Sequence, residues 1–200
     1  MHPAKPFLET DPERLEALAA ERGLALIVGV KDGRPLCAHA PVLLSDGRLR
    51  FHLSAANPLA RALEDGAVAL AVVTGAEAYV SPDWYGLEDQ VPTWNYLSAE
   101  IEGPVRRLDA EDAAALLDDL SAVFEARLAP KPPWTRGKMT PGRFEAMLNG
   151  IVAFEMQVER LEGVRKLGQN KPAEARLGVA SALEALGVAE MAGLVRQTLD

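Results

Sequence analysis

The stretch HAPVLLSDGRLRFHLS, residues 39–54, reads as a β-hairpin. Asp-Gly suits a two-residue turn because both central positions need positive φ, which these residue types tolerate. With Asp46 and Gly47 at the centre, Ser45 pairs with Arg48, Pro41 faces His52 and His39 faces Ser54. Alternation then puts Ala38, Ala40, Val42, Leu44, Leu49, Phe51 and Leu53 on an apolar side. Cys37, His39, Pro41, Arg50, His52 and Ser54 fall on the polar side. A slip of one residue would put His52 into the core, so the pattern specifies its own register. His39 and His52 become diagonal neighbours, roughly 7–8 Å apart at their backbones.

Working outward, LALIVGV (24–30) is a buried strand joined to 35–45 by a first turn, KDGR. Before it, Asp11 caps and Pro12 opens a helix to about Arg22, where Gly23 stops it. Asn57-Pro58 starts a brief helix after the hairpin. AVALAVVT (67–74) and AEAYVS (76–81) read as strands broken by Gly75, and a long strand runs from Thr93 to about Leu108. After Asp109, Ala113, Leu116, Leu120 and Phe124 recur at helical spacing. A proline-laden connection (130–142), a short helix, a strand over 151–161 and Ala-rich helices after Pro172 complete the chain. Strands joined by hairpins, rather than alternating with helices, predict an α+β fold: an antiparallel β-barrel with flanking helices. No linker divides the chain, so residues 1–200 are expected to form one domain, with 166–200 a helical extension.

Composition sets outer limits. A net charge of −8 opposes a broad phosphate-backbone footprint. No window has the apolar length of a membrane helix, and the N-terminus has no signal-peptide pattern. The single cysteine, Cys37, suits a reducing cytoplasm. GxGxxG, Walker A and GxSxG patterns are missing, and His39 with His52 falls short of a zinc ligand set. No metal is expected.

Two regions carry possible chemistry. The polar side of the hairpin leads into Ser54 and the helix start at Asn57, with Arg61 in its first turn. A helix start with free N–H groups and an arginine suits a phosphate. The plainer reading is a capped helix beside a wet sheet face. The second region, AYVSPDWYGLEDQVPTWNY (78–96), holds all three tyrosines and two of the three tryptophans. Flat rings beside amides suit a planar heterocycle, although composition alone favours a packed core or subunit interface.

This aromatic stretch resembles the AYVSPSWY…VPTWNY signature of the PaiB-type FMN-binding negative transcriptional regulators. MHPAKPF, AHAPVLL, HLSAANP, FEMQVERLEG and KLGQNKP follow in the family's order and at its spacing. The resemblance implies a split β-barrel of the flavin-binding kind, acting as a homodimer with FMN near the interface. It implies that the strand and turn around His52, Ser54, Asn57 and Arg61 hold the FMN phosphate, and His39, on the same polar face of the hairpin, is a further cofactor-binding candidate. Trp94, Asn95 and Tyr96 would line the flavin cavity, and Lys166, Gln169 and Asn170 would serve its polar edge.

The chain also departs from the family pattern. Ala55 stands where an arginine is usual, Glu100 for a histidine, Val164 for a lysine and Gly168 for a serine. These changes remove cations from the site, leaving Arg61 and Arg165 to compensate. Three functions stay open at this point: an FMN-binding regulator acting indirectly, a flavin-dependent reductase or oxidase, and a dimeric scaffold that has lost FMN. Direct DNA contact finds little support, because the C-terminal helices show no basic face.

Overall fold

The computed structural model describes residues 4–199. Residues 1–3 of MHPAKPF lie outside that range. Among these described residues eight strands form one mostly antiparallel sheet flanked by helices. In chain order they are β1 (Leu8–Glu9), α1 (Pro12–Arg22), β2 (Leu24–Lys31), β3 (Arg34–Ser45), β4 (Arg48–Ser54), α2 (Pro58–Ala62), β5 (Val68–Val80) and β6 (Thr93–Arg107). Then follow α3 (Ala110–Ala126), α4 (Arg143–Leu148), β7 (Ile151–Gln157), β8 (Arg160–Lys166), α5 (Ala173–Ala185) and α6 (Ala189–Arg196). Two compact units arise from discontinuous chain.

The first unit, Ala19–Val73 with Glu100–Leu161, is a barrel. Its strands follow the order β6-β5-β2-β3-β4-β7, and a further β6–β7 pairing closes the ring. Asp32–Gly33 and Asp46–Gly47 both take positive φ, as two-residue hairpin turns require. Ser45 pairs with Arg48 and Leu44 with Leu49, the register expected from the sequence. Ala40, Val42, Leu49, Phe51 and Leu53 are buried, and Phe51 stacks on its cross-strand partner Phe154 at 5.2 Å.

The hairpin ladder is shorter than expected. It stops at Val42↔Phe51, and β3 then pairs with β2, placing Pro41 against Leu24 and His39 against Leu26. Among the described residues no β3–β4 pair forms beyond Val42↔Phe51, so the expected pairings of His39 with Ser54 and Pro41 with His52 are not made. The polar side of β4 is not a wet ledge either. α3 lies over it: Arg50 pairs with Asp119 at 3.0 Å, and Ala153, opposite His52, packs with Ala113, Leu116 and Leu120.

Two further strand boundaries differ from expectation. The run 151–161 divides into β7 and β8 because Val158 and Glu159 donate instead to the Gly47 and Glu102 carbonyls. Beside this switch, a Cβ on Gly103 would stand 1.8 Å from the Gln157 carbonyl oxygen. β5, in contrast, is continuous through Gly75, where a Cβ would meet the Leu97 Cβ at 2.8 Å. That glycine marks a close approach of neighbours rather than a strand end.

The second unit comprises Met1–Leu18, Thr74–Ala99 and Glu162–Asp200. Within it β1 pairs with β8, Leu8 against Val164. α5 and α6 bury Val179, Leu183, Met191 and Val195 against Ala76, Ala78, Val80 and Tyr85. α5 approaches so closely that a Cβ on Gly178 would lie 2.4 Å from the Trp84 carbonyl oxygen.

Candidate cofactor site

β8 delivers Lys166 to the start of β6. Its ammonium donates to the Thr93 hydroxyl and the Trp94 carbonyl. A tight turn follows, with Gly168 at φ 79° and the Lys171 N–H donating to the Gly168 carbonyl at 2.9 Å. Gln169 holds this turn: its Oε1 accepts from the Leu167 N–H at 2.8 Å and its Nε2 donates to the Arg165 carbonyl. The positive φ accounts for glycine at position 168.

These elements enclose a cleft of about 170 Å³ lined by residues including Phe7, Tyr85, Asn95, Lys166, Asn170 and Lys171. Two ammonium groups enter it, and its lining holds no carboxylate. Lys166 Nζ lies 5.8 Å from the Phe7 ring centroid, and Lys171 Nζ lies 5.4 Å from that of Tyr85. Burial lowers the Lys166 pKa from the usual lysine value and raises that of the Tyr85 hydroxyl. Asn95 is only 2% exposed, and its Oδ1 is buried without a hydrogen-bond partner. A buried acceptor of this kind costs about 1–3 kcal/mol when left unmatched.

Of the aromatic stretch, alternation along β6 sends Thr93 and Asn95 to the cleft. Trp94, 53% exposed, meets Tyr79 edge-on at 6.1 Å instead. Tyr96 is half-buried and does not line the cleft, and Tyr85 does. Lys171, Phe7 and Thr93 join the cleft beyond the residues expected from the sequence. The alternation that picks Asn95 would also have picked Thr93, whereas Phe7 and Lys171 lie in the motifs MHPAKPF and KLGQNKP without any local pattern that assigns them to a cleft.

The residues read as a phosphate site lie in the barrel unit. Ser54 Oγ accepts from the Ala56 N–H at 3.3 Å, and Asn57 Oδ1 accepts from the Leu59 N–H at 2.9 Å. Both oxygens therefore serve the start of α2, which is five residues long. Arg61 and His39 are exposed. His52 is half-buried, with its Nδ1 enclosed and unpartnered, and burial lowers its pKa.

Most of the departures have local structural accounts. Val164 is buried opposite Leu8. Glu100 is held by Arg160 at 3.3 Å, and Arg160 also grips Glu102 at 2.6 Å. These carboxylates keep the Arg160 guanidinium protonated, its pKa raised chiefly by the bond to Glu102. Ala55 donates its N–H to the Gly150 carbonyl, a bond open to arginine as well, so nothing in the structure explains the alanine side chain.

The family model described as "Putative FMN-binding domain" matches residues 1–160. The chain belongs to this FMN-binding family. Its cofactor is accordingly a flavin. Protease synthase and sporulation protein PAI 2 of Bacillus subtilis is 29% identical over 175 residues, covering 86% of this chain and 83% of that protein. Among solved structures, the flavocytochrome Anf3 of Azotobacter vinelandii aligns with a TM-score of 0.66 at 16% identity, over 84% of this chain and 73% of that one. The FAD and heme binding protein of Mycobacterium smegmatis aligns with a TM-score of 0.59 at 24% identity, over 80% and 74%. These two likenesses establish the split-barrel fold.

The cleft suits one end of a family flavin. A flavin's pyrimidine edge offers an N–H donor to an acceptor such as Asn95 Oδ1 and carbonyl oxygens to the lysine ammoniums. At about 170 Å³ the cleft falls below the roughly 300–1,000 Å³ of pockets that enclose a whole small molecule, so it has room for one edge of such a molecule rather than all of it.

Proposed function

We propose that the cleft of Asn95, Lys166, Asn170 and Lys171 receives the pyrimidine edge of FMN, and that the protein is a cytoplasmic homodimer of the PaiB-like group. The observation that carries this reading is the buried, unmatched Asn95 Oδ1 beside two ammonium groups, in a chain of net charge −8. FMN supplies electron transfer when bound, and Lys166 favours the negative charge of its reduced form. Gln169 positions the turn rather than meeting the ring. Exposed Tyr79 and Trp94 supply aromatic surface for a subunit contact, and the exposed thiol of Cys37 fits a reducing compartment.

Any effect on transcription is proposed to be indirect. Arg176 is tied to Thr198, and Arg196 pairs with Glu184 at 2.8 Å, so the C-terminal helices offer no free arginine row to a phosphate backbone. The β4–α2 corner is a separate proposal for phosphate contact, resting on exposed Arg61. A flavin-dependent oxidoreductase is the second reading, favoured by the lysine pair, which would stabilise reduced flavin.

The deciding experiment is an absorption spectrum of the purified chain followed by FMN titration, with Asn95→Leu and Arg61→Glu in parallel. Micromolar or tighter binding that Asn95→Leu weakens supports the cleft. Absence of FMN binding by the unmodified chain would overturn it. Transfer of electrons from the reduced holoprotein to an acceptor faster than from free FMN would favour the oxidoreductase, and sequence-selective, salt-sensitive DNA binding would refute indirect action.

A further inference from the structure

Within the barrel unit, the exposed side of α3 and the proline-rich segment after it form a groove that the flavin reading leaves unused. Its floor is α3, including Asp118, Ser121 and Ala122, and its wall includes Trp134 and Arg136. The cavity measures about 600 Å³, within the roughly 300–1,000 Å³ expected of a pocket for a whole small molecule. A second cavity of about 300 Å³ shares Asp118, Ser121 and Trp134 and is lined otherwise by apolar side chains such as Phe144, Met147 and Ile151.

The groove is built rather than incidental. Glu125 Oε2 accepts from the Trp134 backbone N–H at 2.8 Å and from Lys131, pinning the wall to the floor. Arg136 pairs with Asp118 at 3.2 Å and lies 4.9 Å over the Phe144 ring. Each acidic and basic side chain of the larger cavity is thus matched to another within it. Both pairs are part-exposed and individually weak, but with its charges paired the lining offers no net charge to an entering ion. The Trp134 indole N–H and the Thr135 hydroxyl, in contrast, make no hydrogen bond among the described residues. They are neutral handles beside an indole face.

We propose that this groove binds an uncharged, planar aromatic molecule bearing a hydrogen-bond acceptor, stacked against Trp134 and separate from the flavin cleft. The argument is one of charge matching: internally compensated ion pairs select a neutral occupant, and the free indole N–H selects an acceptor.

The test is titration of the full chain with its FMN bound, using 1-naphthol as a neutral probe, naphthalene-1-sulfonate as an anion and 1-naphthylmethylamine as a cation. Tryptophan fluorescence is the readout. Saturable quenching by 1-naphthol is expected, with each charged probe binding at least tenfold more weakly. Trp134→Phe should abolish the quenching although Trp84 and Trp94 remain. Ala122→Phe, at an exposed position on the groove floor, should weaken naphthol at least tenfold and leave FMN affinity unchanged. Equal binding of the three probes, or indifference to Ala122→Phe, would overturn the proposal. Displacement of naphthol by added FMN would assign the groove to the flavin instead. Loss of quenching as the chain self-associates with concentration would assign it to a second copy.

Discussion

Lys166 ties the end of β8 to the Thr93 hydroxyl, 73 positions earlier, and to the Trp94 carbonyl beside it. The same ammonium lines the proposed flavin cleft, so it has a structural and an electrostatic role that one substitution can separate. Lys166→Met should weaken FMN binding about tenfold, or about 1.4 kcal/mol. The loss should be larger for reduced flavin, moving the midpoint potential to more negative values. Potentiometric titration of the variant checks this. An unchanged potential with a lowered Tm would leave Lys166 as a strand tie only.

His52 predicts a pH dependence of stability. Burial depresses its folded-state pKa below the ordinary 6.5, and its Nδ1 has no acceptor for a second proton. The unfolded chain therefore binds that proton more readily than the folded one. The corresponding stability is present above about pH 6.5 and is lost as pH falls through the lower folded pKa. Tm should decline from pH 7.5 to 5, and His52→Gln should flatten that decline. Parallel curves for the two chains would show that another group is responsible.

The barrel was legible because its information is local. The Asp32–Gly33 and Asp46–Gly47 turns and strict alternation in β4 fix pairings within a few residues of each turn. What was not legible depends on distant partners. Nothing within HAPVLL says that β3 stops pairing with β4 at Val42 while its pairing with β2 covers residues up to Pro41, since the apolar alternation runs unchanged through both parts. The run from Ile151 to Leu161 carries no turn signal, and its break follows from carbonyls at Gly47 and Glu102. In the cleft, Asn95 and Lys166 were visible through the family motifs. Phe7 and Lys171 stand inside MHPAKPF and KLGQNKP, yet their part in the cleft was not legible, because it is set by β1–β8 pairing and by the turn around Gly168.

Two glycines provide opposite outcomes for one substitution. Gly103→Ala would drive a Cβ into the Gln157 carbonyl, 1.8 Å away, at the point where β7 gives way to β8. Backbone cannot yield as a side chain does, so a loss of at least about 2 kcal/mol is expected. Gly193 lies inside α6 with nothing within 4 Å of its would-be Cβ. Gly193→Ala should be neutral or stabilise by up to about 1 kcal/mol. Urea unfolding of both variants measures the contrast; similar values would contradict the close β6–β7 approach.

Asn95→Leu separates ligand chemistry from folding most sharply. In the free chain Asn95 Oδ1 is an enclosed acceptor without a donor, a feature that costs about 1–3 kcal/mol. Leucine has the same number of side-chain heavy atoms and the same branching at Cγ, and no such group. If Asn95 is kept for a ligand, the leucine chain should unfold at the same or higher denaturant concentration than the parent while its FMN affinity falls at least tenfold. Stability and binding would then move in opposite directions, as expected where a site is maintained against the interest of the fold. If instead the variant loses stability and retains FMN affinity, Asn95 supports the sheet, and the flavin edge must be sought elsewhere.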